Sequence, residues 1–158
     1  MKSWFLIVLL VLSGYLFSAE LKGKVIKVSD GDTIMILTEE KRPVRIRLDK
    51  IDAPEKKQAF GYQSKKYLSS LIFRKDIIVK YKKIDRYGRV LGIIYYDGQD
   101  INLLMIKSGM AHHYRHFDKT LEYMIAEKEA RENRVGLWQD ANPIEPYQFR
   151  KLSKRRRN

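Results

Sequence analysis

The sequence predicts a small β-barrel with helices packed on it, an α+β chain of five strands and three helices that matches one way of building an OB-fold. Three observations carry this. Apolar residues alternate with polar ones through most of the chain from Leu21 to Tyr96, tight-turn residues separate those runs, and helical spacing takes over after Asp100. Periodicity alone would equally allow an open α+β sheet.

Leu21, Val25 and Val28 lie among alternating lysines and form the first strand, which Asp30-Gly31-Asp32 ends in a tight turn. Thr33 to Thr38 and Val44 to Leu48 are the next strands, joined across polar Glu39 to Arg42, and Pro54 closes the block. Gln58 to Phe73 has helical spacing, with Phe60, Tyr67, Leu68, Leu71 and Ile72 able to share a face. Ile77 to Ile84 and Val90 to Tyr96 are strands flanking an Asp85–Gly88 turn, and Asp97-Gly98 ends the run. Asp100 can cap a short helix to Ile106, with Gly109 as its stop. Asp118 can cap a longer one ending near Arg134, with Gly136 just beyond and Leu137 and Trp138 docking on the core. Residues 150–158 are so basic, with so little to bury, that they read as a frayed tail.

At 158 residues the chain suffices for one domain with a hydrophobic core, here placed at residues 20–149. Its charge is less ordinary: a net +13 concentrates polyanions, so nucleic acid or an anionic membrane is the natural partner. Cysteine is absent, which excludes disulfides, thiolate metal sites and a cysteine nucleophile. Residues 1–19 have the layout of a signal peptide: Lys2, an apolar stretch from Trp4 to Leu12, the break at Ser13-Gly14, then small Ser18-Ala19. Phe17 departs from the preferred small residue, which leaves an uncleaved anchor as the alternative, although Trp4 to Phe17 is short for a bilayer span. The expectation is an exported protein, secreted or in the cell envelope.

Three clusters carry chemistry: Asp30-Gly31-Asp32-Thr33, the run from Arg45 to Glu55, and Asp85-Arg86-Tyr87-Gly88-Arg89. Singly, each has a plain explanation as a hairpin turn or a helix start. Together they supply what phosphodiester hydrolysis needs: aspartates for a hard cation, a glutamate near the attacking water, and arginines whose planar forks match phosphate oxygens.

The ordered runs D-G-D-T, R-x-R-L-x-x-I-D-A-P-E and D-R-Y-G-R closely resemble the staphylococcal (micrococcal, thermonuclease) nuclease family. The likeness continues through INLLMIKSGMA (Ile101 to Ala111) and EKEARENRVGLW (Glu127 to Trp138). The resemblance implies an OB-fold barrel with three helices and Ca²⁺-dependent endo- and exonucleolytic cleavage of DNA and RNA, single-stranded or frayed, leaving 3′-phosphates. It implies a monomer with no obligate protein partner. Carried over by position, Asp32 and Asp52 resemble the metal carboxylates, and Ala53 a residue lending the metal its backbone carbonyl. The family's best-known member has threonine there. Arg47 and Arg89 resemble the catalytic arginines and Glu55 the catalytic carboxylate. Tyr87 resembles a tyrosine on the nucleotide's phosphate, and Tyr114 is the candidate for the nucleotide pocket. Asp30, Asp49 and Asp85 read as turn or framework residues.

Two segments depart from that pattern: residues 56–63 (KKQAFGYQ) and the stretch Ala111 to Asp118 are both shorter. His112, His113 and His116 invite a zinc reading, but adjacent histidines rarely converge on one ion, and a pocket-edge or surface role is preferred. Tyr62, Tyr67, Tyr81, Tyr95 and Tyr96 are assigned to core or barrel surface. The rivals to a nuclease are a non-catalytic OB-fold that binds single-stranded nucleic acid and a membrane-active basic protein.

Overall fold

A computed structural model of the chain describes residues 18–156. Its elements are β1 (Ala19–Asp30), β2 (Thr33–Thr38), β3 (Pro43–Leu48), β4 (Ile51–Asp52), α1 (Gly61–Ile72), β5 (Asp76–Ile84), β6 (Val90–Tyr96), β7 (Gln99–Asp100), α2 (Ile101–Lys107), β8 (His112–His113), α3 (Leu121–Glu132) and α4 (Pro146–Arg155), with a 3₁₀ turn at Gly136–Gln139. The targeting segment proposed for residues 1–19 lies, up to residue 17, outside the described residues. Among the described residues no helix is long and apolar enough to cross a membrane.

Strands β1, β2, β3, β6 and β5 pair in a ring. Every pair is antiparallel except β3 with β6, which run parallel and close the barrel. Closure removes the open sheet edges that an open sheet of these strands would leave. The expected five-stranded OB-fold barrel is therefore the architecture, and the open-sheet alternative is not. Strand alternation explains how the interior fills: Ile34, Ile36, Ile46, Leu48, Val79 and Ile94 are almost fully buried. Gly92 sits in β6 where a Cβ would collide with the Val79 side chain, so the barrel tolerates no larger residue there.

One helix start is as expected and two differ. Asp100 caps α2, its carboxylate accepting the Leu103 N–H at 2.8 Å. Helix α1 starts at Gly61 rather than Gln58, because Glu55 to Gly61 forms successive turns and Phe60 takes a left-handed conformation, φ 65°. Asp118 does not cap α3, which begins after Thr120. Its carboxylate instead accepts the Thr120 N–H and hydroxyl (3.0 and 2.8 Å) and meets His113 Nε2 at 2.7 Å.

The largest correction is a fourth helix where a frayed tail was expected. Pro146 opens α4 with its φ already helical and no N–H to satisfy, and Lys154 and Arg155 end it where cations suit the helix dipole. His112 and His113 also depart from the pocket-edge or surface role, since each is only 4% exposed. Their short strand β8 pairs with β4, opposite Ile51 and Asp52, and His112 packs edge-on to Trp138 with ring centroids 4.8 Å apart. Only His116 keeps a surface position.

Two predictions follow from this packing. Burial, reinforced by the Arg131 and Arg115 charges against Glu127, pushes His112 down from 6.5 to about 4. Between those values the unfolded chain holds a proton at His112 that the folded chain lacks, so this group costs stability as pH falls through the window. His112→Asn should flatten the wild-type acid slope there, as measured by urea unfolding at a series of pH values. The second concerns Gly31, where a Cβ would collide with Ser64 Oγ and lie 2.8 Å from Ala53 Cβ. Gly31→Ala should push the turn off α1 and destabilise the fold by about 1–3 kcal/mol in the same assay.

Candidate active site

One cleft of about 1140 Å³ opens on the outside of the barrel, between the β1–β2 turn, the 49–55 segment, the β5–β6 hairpin and α4. Its walls bring together Asp32, Arg47, Ala53, Glu55, Tyr87, Arg89 and Tyr114, residues that the sequence scatters over three segments and a loop. Asp52 does not line the open space. It lies beneath it, 2% exposed, with its oxygens covered by two guanidinium groups.

Strand register explains the convergence. Thr33 of β2 stands opposite Arg47 of β3, which stands beside Leu91 of β6, and the Leu48 N–H bonds the Asp32 carbonyl at 2.8 Å. Because Ile46 and Leu48 point into the barrel, Arg47 must point out, toward the cleft. Its guanidinium is nearly enclosed. Nη1 donates to the Leu48 and Ile51 carbonyls at 2.7 and 2.9 Å, while Nη2 meets Asp52 Oδ1 at 3.0 Å and Asp32 Oδ2 at 3.2 Å. Asp32 also accepts the Ala53 N–H at 2.8 Å and the Thr33 hydroxyl at 3.1 Å. These bonds hold both candidate metal carboxylates and the Ala53 backbone in one fixed group.

The carboxylates here are crowded. Burial and the neighbouring Asp32 charge raise Asp30 from 3.8 to about 7, against the opposing pull of Arg47. Burial raises Asp52 as well, with Arg150 and Arg47 offsetting part of the effect and Asp32 adding to it. Asp30 is thus more than a turn residue; it faces the same cleft. Among the described residues no three Asp, Glu or His side chains are assembled around a metal position. The two aspartates and a backbone carbonyl form a different kind of donor set, and Arg150 now covers part of it.

Arg150 was assigned to the frayed tail. From α4 it places Nη1 3.0 Å from Asp52 Oδ1 and 2.8 Å from Glu55 Oε1, with Nη2 2.9 Å from Asp52 Oδ2. Mutual stabilisation with these carboxylates raises its pKa, although burial opposes this. The available signals were Pro146 at a helix start and the spacing of Tyr147, Arg150, Lys151 and Lys154, which puts all four on the cleft side of one helix. Charge density masked that periodicity.

Tyr87 and Arg89 occupy another wall, on the 85–89 hairpin. Asp85 holds that hairpin together, accepting the Tyr87 and Arg89 N–H groups at 2.8 and 2.9 Å and Arg89 Nε at 2.8 Å. Burial pushes Asp85 up, but the Arg89 and Tyr87 hydrogen bonds outweigh it and leave the carboxyl below the usual range. The framework role expected for Asp85 is what the geometry shows. Tyr114 packs on Phe117 at 4.7 Å, and burial, followed by the Asp52 charge, raises its hydroxyl. Tyr81 and Tyr95 line the cleft as well as the barrel surface.

Two positioning residues escaped the sequence reading. Buried Asn102 accepts the Ile94 N–H and donates to the Asp49 and Gly92 carbonyls, tying the turn before β4 to the barrel. Buried Glu127 of α3 accepts the His113 N–H and pairs with Arg115, which steadies the loop carrying Tyr114.

Residues 45–140 match the model of the family described as staphylococcal nuclease homologue. The chain is 47% identical over 131 residues to a protein of Haemophilus influenzae described as an uncharacterized endonuclease, covering 83% of this chain and 74% of that one. It is 42% identical over 151 residues to the micrococcal nuclease of Shigella flexneri, covering 89% and 86%. A staphylococcal-like nuclease of Arabidopsis thaliana, CAN1, is 42% identical over 107 residues, 68% of this chain and 33% of the plant protein. Barrel, cleft and matched segments agree, and the chain belongs to the staphylococcal nuclease family.

Proposed function

We propose that this chain is a nuclease that uses Ca²⁺ to hydrolyse phosphodiester bonds of DNA and RNA, single-stranded or frayed, to 3′-phosphate products. The observation that carries the reading is the convergence of Asp32, Asp52, Glu55, Arg47 and Arg89 on one basic cleft. The nuclease names of the relatives support the same reaction class. The apolar stretch from Trp4 to Leu12 supports export, with anchoring through residues 4–17 as the alternative.

The donor set fits calcium. Asp32, Asp52 and the Ala53 carbonyl are hard oxygen donors, and Asp32 and Asp52 are held together by their shared contact with Arg47. Bound there, Ca²⁺ would put positive charge on a phosphate oxygen and so ease the approach of an anionic nucleophile. Glu55, at the cleft surface, orients a water for in-line attack and accepts its proton at a carboxylate oxygen. Arg47 and Arg89 donate to the equatorial oxygens as negative charge grows, and Arg89 steadies the departing 5′-oxygen. Tyr87 contacts the bound phosphate and Tyr114 borders the nucleotide. Lysines 80, 82 and 83 along the cleft attract the polyanion without reading sequence.

Incubating the full chain with single-stranded DNA or RNA, in Ca²⁺ or in excess chelator, tests the reading. Cleavage should require Ca²⁺, and Asp32→Ala or Asp52→Ala should abolish it. Full activity in chelator would overturn the calcium mechanism, while binding without cleavage in Ca²⁺ would make the protein a binding module. The arginines give a sharper prediction. Lysine keeps the charge but loses the fork, so Arg47→Lys and Arg89→Lys should each lower single-turnover cleavage roughly a hundred- to a thousandfold. Oligonucleotide affinity should change far less. Near-normal cleavage by both variants would remove the arginines from the chemistry.

A further inference from the structure

Arg150 sits where the proposed reaction has no use for it. Its guanidinium satisfies both oxygens of Asp52 and one of Glu55, the carboxylates that must be available to a cation and to water. A divalent cation on those oxygens competes with the guanidinium for them and repels it, and Asp52 Oδ1 already accepts from Arg47 as well. Arg47 also touches Asp52, but it is built into the backbone through the Leu48 and Ile51 carbonyls, and its side chain is 12% exposed. The Arg150 side chain is 35% exposed and comes from a surface helix, and it bonds the carboxylates and the Tyr114 hydroxyl but none of the backbone carbonyls that enclose Arg47.

The rest of α4 is anchored independently. Pro146 is buried, the Tyr147 ring lies 4.7 Å from His116, and Glu145 pairs with His116 at 3.7 Å. Arg150 can therefore let go of Asp52 while its helix stays over the cleft. Its neighbours on the cleft side are Lys151 and Lys154, so the space open to a freed guanidinium is the one a polyanion would enter.

We propose that Arg150 is an internal counter-ion of the active site: it neutralises Asp52 and Glu55 until a divalent cation takes the carboxylates, and then serves as a phosphate ligand from α4. This rests on the calcium site proposed above. Cation and substrate binding become linked through one side chain, since cation loading releases the arginine that the phosphate then engages. An empty site keeps buried Asp52 and partly exposed Glu55 paired, and substrate meets the full basic wall only when the cation is in place.

The test is calorimetric titration of the full chain and of Arg150→Ala, first with Ca²⁺ alone and then, in saturating Ca²⁺, with a nucleoside 3′,5′-bisphosphate, which has phosphates but no scissile diester. Arg150→Ala should bind Ca²⁺ roughly ten- to a hundredfold tighter, the worth of charge-assisted bonds that no longer have to be broken. The same variant should bind the bisphosphate at least several-fold more weakly. Opposite signs are the signature, because a merely structural role for Arg150 would weaken both. Arg150→Lys, which keeps the charge without the fork, should fall between the two for Ca²⁺ and guards against misfolding of the alanine variant. Unchanged or weaker Ca²⁺ binding by both variants overturns the counter-ion role, and undiminished bisphosphate binding overturns the phosphate role. Absence of Ca²⁺ binding in wild type and both variants would instead overturn the calcium site itself.

Discussion

The site depends on one enclosed cation. Arg47 bonds two backbone carbonyls and two aspartates at once, and the segment from Leu48 to Asp52 is wrapped around its guanidinium. Without that charge, Asp32 and Asp52 would be two carboxylates buried side by side, with Arg150 as a cationic partner for Asp52 and only neutral donors, the Ala53 N–H and the Thr33 hydroxyl, for Asp32. Removing one member of such a group is expensive because the charge left behind has lost its solvent as well as its partner. Arg47 thus answers both to the barrel, which holds it at the parallel β3–β6 seam, and to the chemistry expected in the cleft.

Around this centre the fold spends buried polar groups on position rather than on bulk stability. Asn102 is fully buried and uses its amide to join β6 to the Asp49 turn, while Glu127 fastens the loop of Tyr114 to α3. Such groups are tolerable in an interior only when their hydrogen bonds are made, and once made they leave few alternative arrangements. Gly31 contributes in the opposite way, by having no side chain where the Asp30–Asp32 turn meets Ser64. The carboxylates are thus held from three sides by elements distant in sequence.

The electrostatics have two layers. A net charge of +13 makes the molecule attractive to polyanions at long range, and the cleft gathers lysines from β5 and α4 along its walls. At its floor the sign reverses, with Asp30, Asp32, Asp52 and Glu55 close together. A basic rim over an acidic floor is a place where a phosphate chain and a hard cation can be drawn to adjacent positions. Arg150 belongs to the rim by its helix and to the floor by its contacts, which is why the balance between the two layers turns on it.

Much of this was legible in the sequence, and for definite reasons. Alternating apolar residues with Asp-Gly and Tyr-Gly turns are local signals, so strands, their order and the helix cap at Asp100 could be read directly. The runs D-G-D-T, R-x-R-L-x-x-I-D-A-P-E and D-R-Y-G-R carry the resemblance to the family, because each sets its charged residues at short fixed spacing within one local segment. What only the tertiary structure decided was how distant segments meet. Closure through a parallel β3–β6 pair, the burial of His112 and His113 behind β4, and the Asn102 and Glu127 bonds all join residues with no local relation. Arg150 is the plainest case. By sequence it is one cation in a basic run, and its pairings with Asp52 and Glu55 span 98 and 95 residues. The spacing of Tyr147, Arg150, Lys151 and Lys154 marks a helix face but not the carboxylates that face meets, so only the folded chain could reveal the ion pair.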